Sequence, residues 1–212
     1  MRPDVEGELD PPPTDPSPTD PPPTALARSQ AARRRRVLDA TLELAAEGGF
    51  DAVQMRDVAA AADVALGTLY RYFSSKERLL LEAMVEQQED LRRHLDAHPA
   101  PGSTPVERVV NVLNRANASL RRYPDVTAAM VRAFGASRSE DADIVERVGE
   151  IMTSIITGAI GSGTDRDRRV ARVLQQVWLS SLVGWVGGVD PAQRVDDDLE
   201  AAAHLLLDPP SA

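Results

Sequence analysis

The sequence predicts an all-α fold of about nine helices, and three observations support this prediction. Apolar residues recur at spacings of three and four along most of the chain after residue 28, which is the period of an amphipathic helix. Ser and Thr residues suited to cap a helix stand where several of these patterns begin. No segment shows the alternation of apolar and polar residues that is typical of a strand.

Helices are predicted over about 29–47, 55–62, 65–72, 75–98, 105–122, 124–136, 139–160, 165–187 and 195–207. The first is expected to end at Gly48-Gly49, because glycine favours the backbone conformation that closes a helix. Ser74, with Glu77 three residues later, predicts a capping box at the start of the fourth helix.

The helices of the second half have similar start signals. Thr104 and Glu107 form a second predicted capping box, and Pro105 stands at the first helical position, where its missing N–H costs nothing. Thr164 is the expected N-cap of the eighth helix.

The composition excludes several classes of protein. The chain has 212 residues, of which 42% are hydrophobic, so it is long enough to bury a core without covalent cross-links. It has no Cys, which excludes disulfides, thiolate zinc sites, iron–sulfur clusters and Cys nucleophiles. The N-terminus lacks the apolar segment of a secretion signal, and the longest uncharged apolar stretch, residues 173–189, is too short to span a membrane. We therefore expect a soluble cytoplasmic protein.

Charge and proline are distributed unevenly along the chain. The formal net charge is −9, yet residues 28–80 contain nine basic and seven acidic side chains. Only this segment is eligible to bind nucleic acid, because polyanion binding depends on the local field. Residues 1–24 hold nine of the 16 prolines, interleaved with Thr and Asp. We expect residues 1–27 to form a disordered tail, with a proline-rich docking motif as the alternative.

Three helices at the start of the ordered region, two of them short and joined by a tight turn, favour a helix-turn-helix. The sequences FDAVQMRDVA at 50–59 and DVALGTLYRYFSSKERLL at 63–80 closely resemble the DNA-binding domain of the tetracycline-repressor (TetR) family. The resemblance implies a helix-turn-helix domain over residues 28–76 and a helical ligand-binding and dimerisation domain over residues 77–208.

The third helix has the residues of a recognition helix, which enters the major groove with its N-terminal end against the bases. Gly67 would allow close approach, and the hydroxyl and methyl of Thr68 suit a phosphate or a thymine methyl. Leu69 and Phe73 lie on the opposite face and should pack inward with Val58. The candidate DNA-binding residues are Arg56, Leu66, Gly67, Thr68, Tyr70, Arg71, Tyr72 and Lys76.

The remaining polar residues of this region suit contacts to the DNA backbone. Tyr70 and Tyr72 present hydroxyls to the two flanking strands, and Arg71 can reach a base edge or a phosphate. The run Arg33–Arg36 would lie near phosphates and add affinity without reading bases; a simply solvated run is the alternative.

Lys76 and Arg56 each have two interpretations. Lys76 is the only lysine and lies at a helix N-terminus, which favours anions; we interpret it as a phosphate clamp, with an exposed solubilising side chain as the alternative. The resemblance implies a guanine or phosphate contact for Arg56, and an ion pair with Asp57 or Glu77 is the alternative.

No residue pattern indicates catalysis or a metal, and we expect no cofactor. His94 and His98 lie four residues apart, but they are better explained by favourable placement in the last turn of a helix. Asp196–Asp198 fits the acidic start of a helix. Ser162 lacks the surroundings of a nucleophile elbow. The chain is therefore not expected to be an enzyme.

The eighth predicted helix is apolar on nearly every side, which indicates burial against its own core and against a second subunit. Paired recognition helices must also be held about 34–36 Å apart to read two half-sites, so we expect a homodimer on palindromic double-stranded DNA, with an ordinary core helix as the alternative. The candidate interface residues are Val173, Val177, Ser180, Ser181, Gly184, Leu199, Ala203 and Leu206.

A ligand cavity is expected among the central helices. Its candidate residues, for which plain core packing is the alternative, are Leu113, Asn117, Met130, Phe134, Met152, Ile155 and Trp178. Asn117 would be the polar anchor. The segment WLSSLVGW at 178–185, with residues 52–56, also resembles the actinobacterial cholesterol-catabolism repressors of the TetR family. That subgroup releases DNA on binding a steroid acyl-CoA intermediate.

The leading hypothesis is a homodimeric, nucleoid-associated repressor that a lipophilic small molecule releases from its operator. In this switch the ligand would tilt the helix over 75–98 and move the recognition helix. The alternatives are a ligand-independent regulator or an activator with the same DNA-binding head, and a helical lipid carrier that does not bind DNA.

Overall fold

The computed structural model describes residues 25–208, and within that range the chain is all-α, as the sequence predicts. Of the tail expected over residues 1–27, residues 1–24 lie outside the described residues and residues 25–27 belong to the first helix. The helices are α1 (Ala25–Ala52), α2 (Met55–Ala61), α3 (Leu66–Tyr72), α4 (Lys76–Ala97), α5 (Pro105–Arg122), α6 (Pro124–Ala136), α7 (Ala142–Ile160), α8 (Asp165–Val186) and α9 (Gln193–Leu207), with a 3-10 turn at Ser139–Asp141 before α7.

The regular part of α1 ends at the predicted glycine pair. Gly49 has φ 64° and ψ −155°, a left-handed backbone region that glycine enters without a steric penalty. Helical geometry returns for only a few residues, as far as Ala52. The break redirects the chain toward α2.

The predicted caps of α5 and α8 are confirmed. Thr104 accepts a hydrogen bond from the Glu107 N–H at 3.2 Å, and the Glu107 carboxylate accepts one from the Thr104 N–H at 3.3 Å. Thr164 and Asp167 form the same reciprocal pair at the start of α8. These bonds satisfy backbone donors that the first helical turn leaves free.

The predicted cap of α4 is wrong by one residue. Ser75, not Ser74, is extended immediately before the first helical residue, and its Oγ accepts a hydrogen bond from the Arg78 N–H at 3.1 Å. Ser74 lies one residue too early for its hydroxyl to reach that donor. Glu77 therefore occupies the second helical position rather than the third position of a capping box.

Two apolar clusters form the interior. One joins α1, α2 and α3 with the first turns of α4 and the inner face of α6; the other joins the rest of α4 with α5, α7, α8 and α9. Met84 packs against both clusters. Helices α4 and α6 thus connect the N-terminal helices to the C-terminal ones.

An ion pair also fixes the start of α4 against the start of α7. The Arg78 guanidinium donates to both carboxylate oxygens of Asp143, at 2.8 and 2.6 Å. This hydrogen bonding lowers the pKa of Asp143 to about 2. None of the helices in residues 25–208 is long and apolar enough to cross a membrane.

Candidate DNA-binding surface and ligand cavity

The turn between α2 and α3 sets the direction of α3. Asp63 has φ 52°, a left-handed conformation that Asp tolerates better than most residues. The Asp63 and Val64 N–H groups donate to the carbonyls of Ala60 and Ala59 at 3.2 and 3.0 Å. These bonds close α2, and α3 begins after the four residues 62–65, which is the arrangement of a helix-turn-helix.

The inner face of α3 packs as predicted. Leu69 and Phe73 are buried in the same cluster as Val58 and Val53, and Val64 packs against its edge. This packing fixes the rotation of α3 about its axis, so the other face of the helix is turned to solvent.

The outer face of α3 carries the predicted DNA-binding side chains. Tyr70 and Tyr72 are 51% and 49% exposed, and Leu66 and Arg71 are exposed beside them. Gly67 faces open space, since a Cβ placed there would meet no atom within 4 Å.

Two further candidates lie at the edges of this surface. Thr68 is half-buried beside Tyr72. Arg56 is exposed in the first turn of α2, and no described residue forms an ion pair or a side-chain hydrogen bond with it. The pairs with Asp57 and Glu77 that were the alternative are therefore not formed.

Lys76 is bound within the chain. Its ammonium donates to the backbone carbonyl of Phe50 at 3.1 Å and lies 4.0 Å from the centroid of the Phe50 ring. The alternative interpretation of Lys76, an exposed solubilising side chain, is therefore wrong, because the side chain is half-buried. A phosphate contact would require the ammonium to leave the carbonyl or to share its donors.

Two arginines of the run, Arg34 and Arg35, pair with carboxylates of α4. Arg34 pairs with Glu82 and, at 3.4 Å, with Glu86. Arg35 pairs with Glu86 at 3.2 Å. Arg33 lines a cleft of about 320 Å³ between α1 and α3.

A larger cavity of about 430 Å³ lies among α4, α5, α6, α7 and α8. Of the predicted lining residues, the structure places Met130, Phe134, Met152 and Trp178 on its wall. The other members of the apolar wall are Met84, Leu91, Ala116, Leu120, Val131, Val148, Leu179 and Leu182.

Three of the predicted cavity residues do not line it. Leu113 and Ile155 are buried in the C-terminal core. Asn117 accepts a hydrogen bond from Trp178 Nε1 at 2.7 Å and donates to Asp196 at 2.7 Å. Asn117 is therefore not the polar anchor of a ligand, because both ends of its amide are already bonded. It fixes the indole of Trp178 instead.

Sequence reasoning missed the contribution of α4 to the cavity. Met84, Gln88 and Leu91 line it at spacings of four and three, and His94 follows three residues later. This stripe could have been recognised, because residues at such spacings share one face of a helix. The other missed polar residues are Gln87, Asp90, Arg115, Ser119, Tyr123, Thr127 and Gln175.

The outer faces of α8 and α9 are apolar and unpartnered within the chain. Val173, Val183 and Leu205 are 47%, 53% and 84% exposed. Ser180 is exposed beside them, and Val177, Gly184 and Leu206 are half-buried.

Three predicted interface residues belong instead to the interior of the chain. Leu199 and Ala203 are buried in the C-terminal core, on the face of α9 opposite Leu205. Ser181 is buried and donates to Asp198 at 2.9 Å. The prediction placed Leu199 and Ala203 outside because α9 has apolar residues on more than one face, and Ser181 because small residues allow helices to approach closely.

The described residues contain no cluster of three or more His, Asp or Glu that could hold a metal ion. His94 and His98 stack with their ring centroids 4.9 Å apart. Asp196 binds Asn117 and Arg121, and Asp198 binds Ser181. The acidic start of α9 is therefore used for packing contacts.

Comparison with known proteins agrees with this architecture. Residues 37–83 match the model of the bacterial regulatory proteins of the tetR family, and residues 102–206 match that of the tetracyclin repressor-like C-terminal domain. The chain is 40% identical to the HTH-type transcriptional repressor KstR of Mycolicibacterium smegmatis over 183 residues, which cover 85% of this chain and 90% of the relative. The chain belongs to the TetR family. It is therefore a transcriptional regulator and not an enzyme.

Other TetR-family proteins agree in sequence and in fold. KstR of Rhodococcus jostii is 42% identical over 85% of each chain. A TetR transcriptional regulator from Rhodococcus sp. RHA1 superposes with a TM-score of 0.78 at 33% identity, over 86% of this chain and all of the other. Thermus thermophilus FadR, solved in complex with lauroyl-CoA, shares the fold with a TM-score of 0.60 at 22% identity, over 84% of this chain and 98% of the other.

Proposed function

We propose that the protein is a homodimeric repressor that binds a palindromic operator and releases it when a lipophilic small molecule enters the 430 Å³ cavity. The observation that carries the proposal is that α4 and α6 border both the cavity and the helix-turn-helix cluster. A ligand can therefore change the position of the recognition helix without touching it.

The exposed face of α3 supports operator binding. Leu66, Gly67 and Thr68 form its first turn, which in a helix-turn-helix faces base edges. The hydroxyls of Tyr70 and Tyr72 are free to bind phosphates on either side of the groove. These contacts lie on a helix whose rotation is fixed by the buried Leu69 and Phe73 on the opposite face.

Two arginines complete the proposed contacts, and Lys76 is assigned differently. Arg71 and Arg56 are exposed and available for a phosphate or a guanine. Lys76 acts first through Phe50, by holding the end of α1 against the start of α4. Any phosphate contact that it makes is secondary to this positioning role.

The outer faces of α8 and α9 support a dimer with a second copy of the chain. Val173, Val183 and Leu205 expose apolar surface that a four-helix contact would remove from water. Val177, Ser180 and Gly184 follow Val173 at helical spacings on α8, whereas Leu206 packs against the core on the inner face of α9. A twofold arrangement also places two recognition helices on successive turns of the duplex, as a palindrome requires.

The wall of the cavity supports a lipophilic ligand. Apolar side chains dominate it, and polar side chains such as Asp90 and Arg115 are grouped on α4 and α5. Two solved FadR proteins that share the fold were crystallised with lauroyl-CoA and stearoyl-CoA, and two relatives of about 40% identity are KstR repressors. We propose a steroid or an acyl-CoA catabolic intermediate as the effector.

In the proposed switch, the ligand favours a packing in which α4 tilts. Met84 and Leu91 of α4 contact the cavity, while the first turn of the helix carries Lys76 and Arg78. The ligand can shift the free-energy difference between the two packings only by the difference between its binding free energies for them. We retain residues 28–76 as the DNA-binding domain and 77–208 as the ligand-binding and dimerisation domain. Operator binding would place the protein at the nucleoid, in the cytoplasm.

Genome-wide mapping of the DNA bound by the protein tests this function. We expect a small set of sites with a shared palindrome, next to genes for lipid or steroid breakdown. Effector candidates drawn from those genes should then release the purified protein from that palindrome. Operator binding that no cavity ligand weakens would instead indicate a ligand-independent regulator or an activator, and the absence of bound sites would favour a lipid carrier.

A further inference from the structure

One polar atom in the wall of the cavity has no partner. The side-chain oxygen of Gln88, Oε1, is buried, and no described residue donates a hydrogen bond to it. Gln88 lies in α4 between Met84 and Leu91, which line the same cavity. An amide oxygen buried without a donor is unfavourable, because it has lost its hydrogen bonds to water.

Other polar groups of the cavity wall are already bonded within the chain. Trp178 donates its indole N–H to Asn117. Thr127 donates its hydroxyl to the carbonyls of Leu120 and Tyr123 at 2.9 and 3.1 Å. These groups have their donors occupied, so they serve packing rather than recognition.

Gln175, on α8, provides a second amide in the same wall. Its Oε1 accepts a hydrogen bond from the Thr153 hydroxyl at 2.9 Å, which fixes the orientation of the amide. A Cβ at position 149 would lie 3.3 Å from Gln175 Nε2, so Gly149 leaves room for this placement.

We propose that Gln88 Oε1 accepts a hydrogen bond from a hydroxyl on the otherwise apolar body of the effector. A hydroxyl can donate to Oε1, whereas a carbonyl could accept only from the amide nitrogen and would leave Oε1 unpaired. This inference rests on the proposed ligand-binding function and specifies the chemistry of that ligand. A site whose buried polar group pairs with the ligand discriminates against an analogue that leaves the group unpaired.

Matched probes test the proposal on the full-length protein. The first set is 5α-androstane, its 3β-alcohol and its 3-ketone; the second is decane, 1-decanol and 2-decanone. Dissociation constants follow from the change in tryptophan fluorescence, because Trp178, one of the two tryptophans of the chain, lines the cavity. In at least one set we expect the alcohol to bind about tenfold more tightly than its hydrocarbon and its ketone, the effect of one hydrogen bond to a previously unpaired acceptor.

Two substitutions of Gln88 locate the effect. In Gln88→Leu and the nearly isosteric Gln88→Met, the preference for the alcohol should fall to within about twofold, while the hydrocarbon binds as well as before or better. Gln87→Leu is the matched control, because Gln87 lines the same cavity one residue away; it should keep the preference.

Three results would overturn the inference: no preference for the alcohol in either probe set, a preference unchanged in both Gln88 variants, or an equal loss in Gln87→Leu. Operator release is measured separately with the same probes. Probes that bind with the expected preference but release no operator would contradict the proposed function and leave the Gln88 contact standing. Equal binding of all the probes, with release of the operator by each of them, would overturn the Gln88 contact and leave the proposed function standing.

Discussion

Lys76 lies with its ammonium 3.1 Å from the carbonyl oxygen of Phe50 and 4.0 Å from the centroid of the Phe50 ring. Arg132 of α6 contacts the same ring, with its guanidinium carbon 4.5 Å from the centroid. Arg132 also forms an ion pair with Asp51 at 2.8 Å. The end of α1 is therefore held by one cation from α4 and by another from α6. Both of those helices border the cavity.

The contact predicts a structural effect of removing the ammonium. Lys76→Met should lower the free energy of unfolding by about 1–2 kcal/mol, because it removes a hydrogen bond and a cation–π contact. Lys76→Arg should keep most of both. Urea unfolding measures the stability, and operator binding measured over a series of salt concentrations gives the number of phosphate contacts. Unchanged stability, together with a salt slope reduced by about one contact, would show that Lys76 acts directly on a phosphate instead.

Arg132 predicts a variant with altered coupling and nearly normal stability. Its ion pair with Asp51 is exposed, so Arg132→Gln should cost under about 1 kcal/mol. The effector concentration that gives half-release of the operator should nevertheless rise several-fold, because α6 loses its polar link to the end of α1. Titration of the protein–operator complex with effector measures this. Arg147→Gln, on the exposed side of α7, is the control, and an equal shift in both variants would contradict the assignment.

The surface on α8 and α9 predicts which substitutions separate subunits and which unfold the chain. Val183→Asp and Leu205→Asp should each yield a folded monomer, because they place a charge in the proposed contact. Ala118→Asp, on an exposed position of α5, should leave the dimer intact. Light scattering gives the molar mass, and circular dichroism reports folding.

The same set tests the corrected position of Ala203. Ala203→Asp should cost more than about 3 kcal/mol of stability, because a carboxylate would enter the chain's own core. A folded, monomeric Ala203→Asp would instead restore Ala203 to the interface.

The Arg78–Asp143 pair predicts a dependence of stability on pH. Hydrogen bonding from Arg78 lowers the pKa of Asp143 to about 2 from 3.8, so the folded state binds this proton less readily than the unfolded state. The stabilisation is therefore complete above about pH 4 and is lost as the pH falls through about 2. Urea unfolding of the wild type and of Asp143→Asn should differ at pH 5 and converge toward pH 2. A constant difference over this range would exclude the pair as its cause.

Local signals predicted the fold well where a few adjacent residues determine the geometry. Thr104 and Thr164 cap their helices as expected, because the hydroxyl, the helical turn and the acidic partner lie within four residues. Gly49 breaks α1 because its backbone conformation excludes most other residues. At α4, the spacing of Ser74 and Glu77 favoured Ser74, but the helix begins one residue later and Ser75 caps it.

The site was predictable to the extent that its contacts are local. The outward face of α3 follows from the buried Leu69 and Phe73, which share one helical face. The bonds of Asn117 to Asp196 and of Lys76 to Phe50 could not be predicted, because these partners lie 79 and 26 residues away. Periodicity shows that a residue is on a face, and only the packing of several helices decides what lies against it.

Binding of the full-length protein to duplex DNA at one fixed salt concentration tests the central claim most directly. Fluorescence anisotropy is measured with the palindrome recovered from genome-wide mapping and with a scrambled duplex of the same composition. We expect two chains on each palindrome, at least a thousandfold preference over the scrambled duplex, and a loss of at least tenfold in affinity for Tyr70→Ala at unchanged molar mass. Equal affinity for the two duplexes, or a protein that binds as a monomer, would contradict the account.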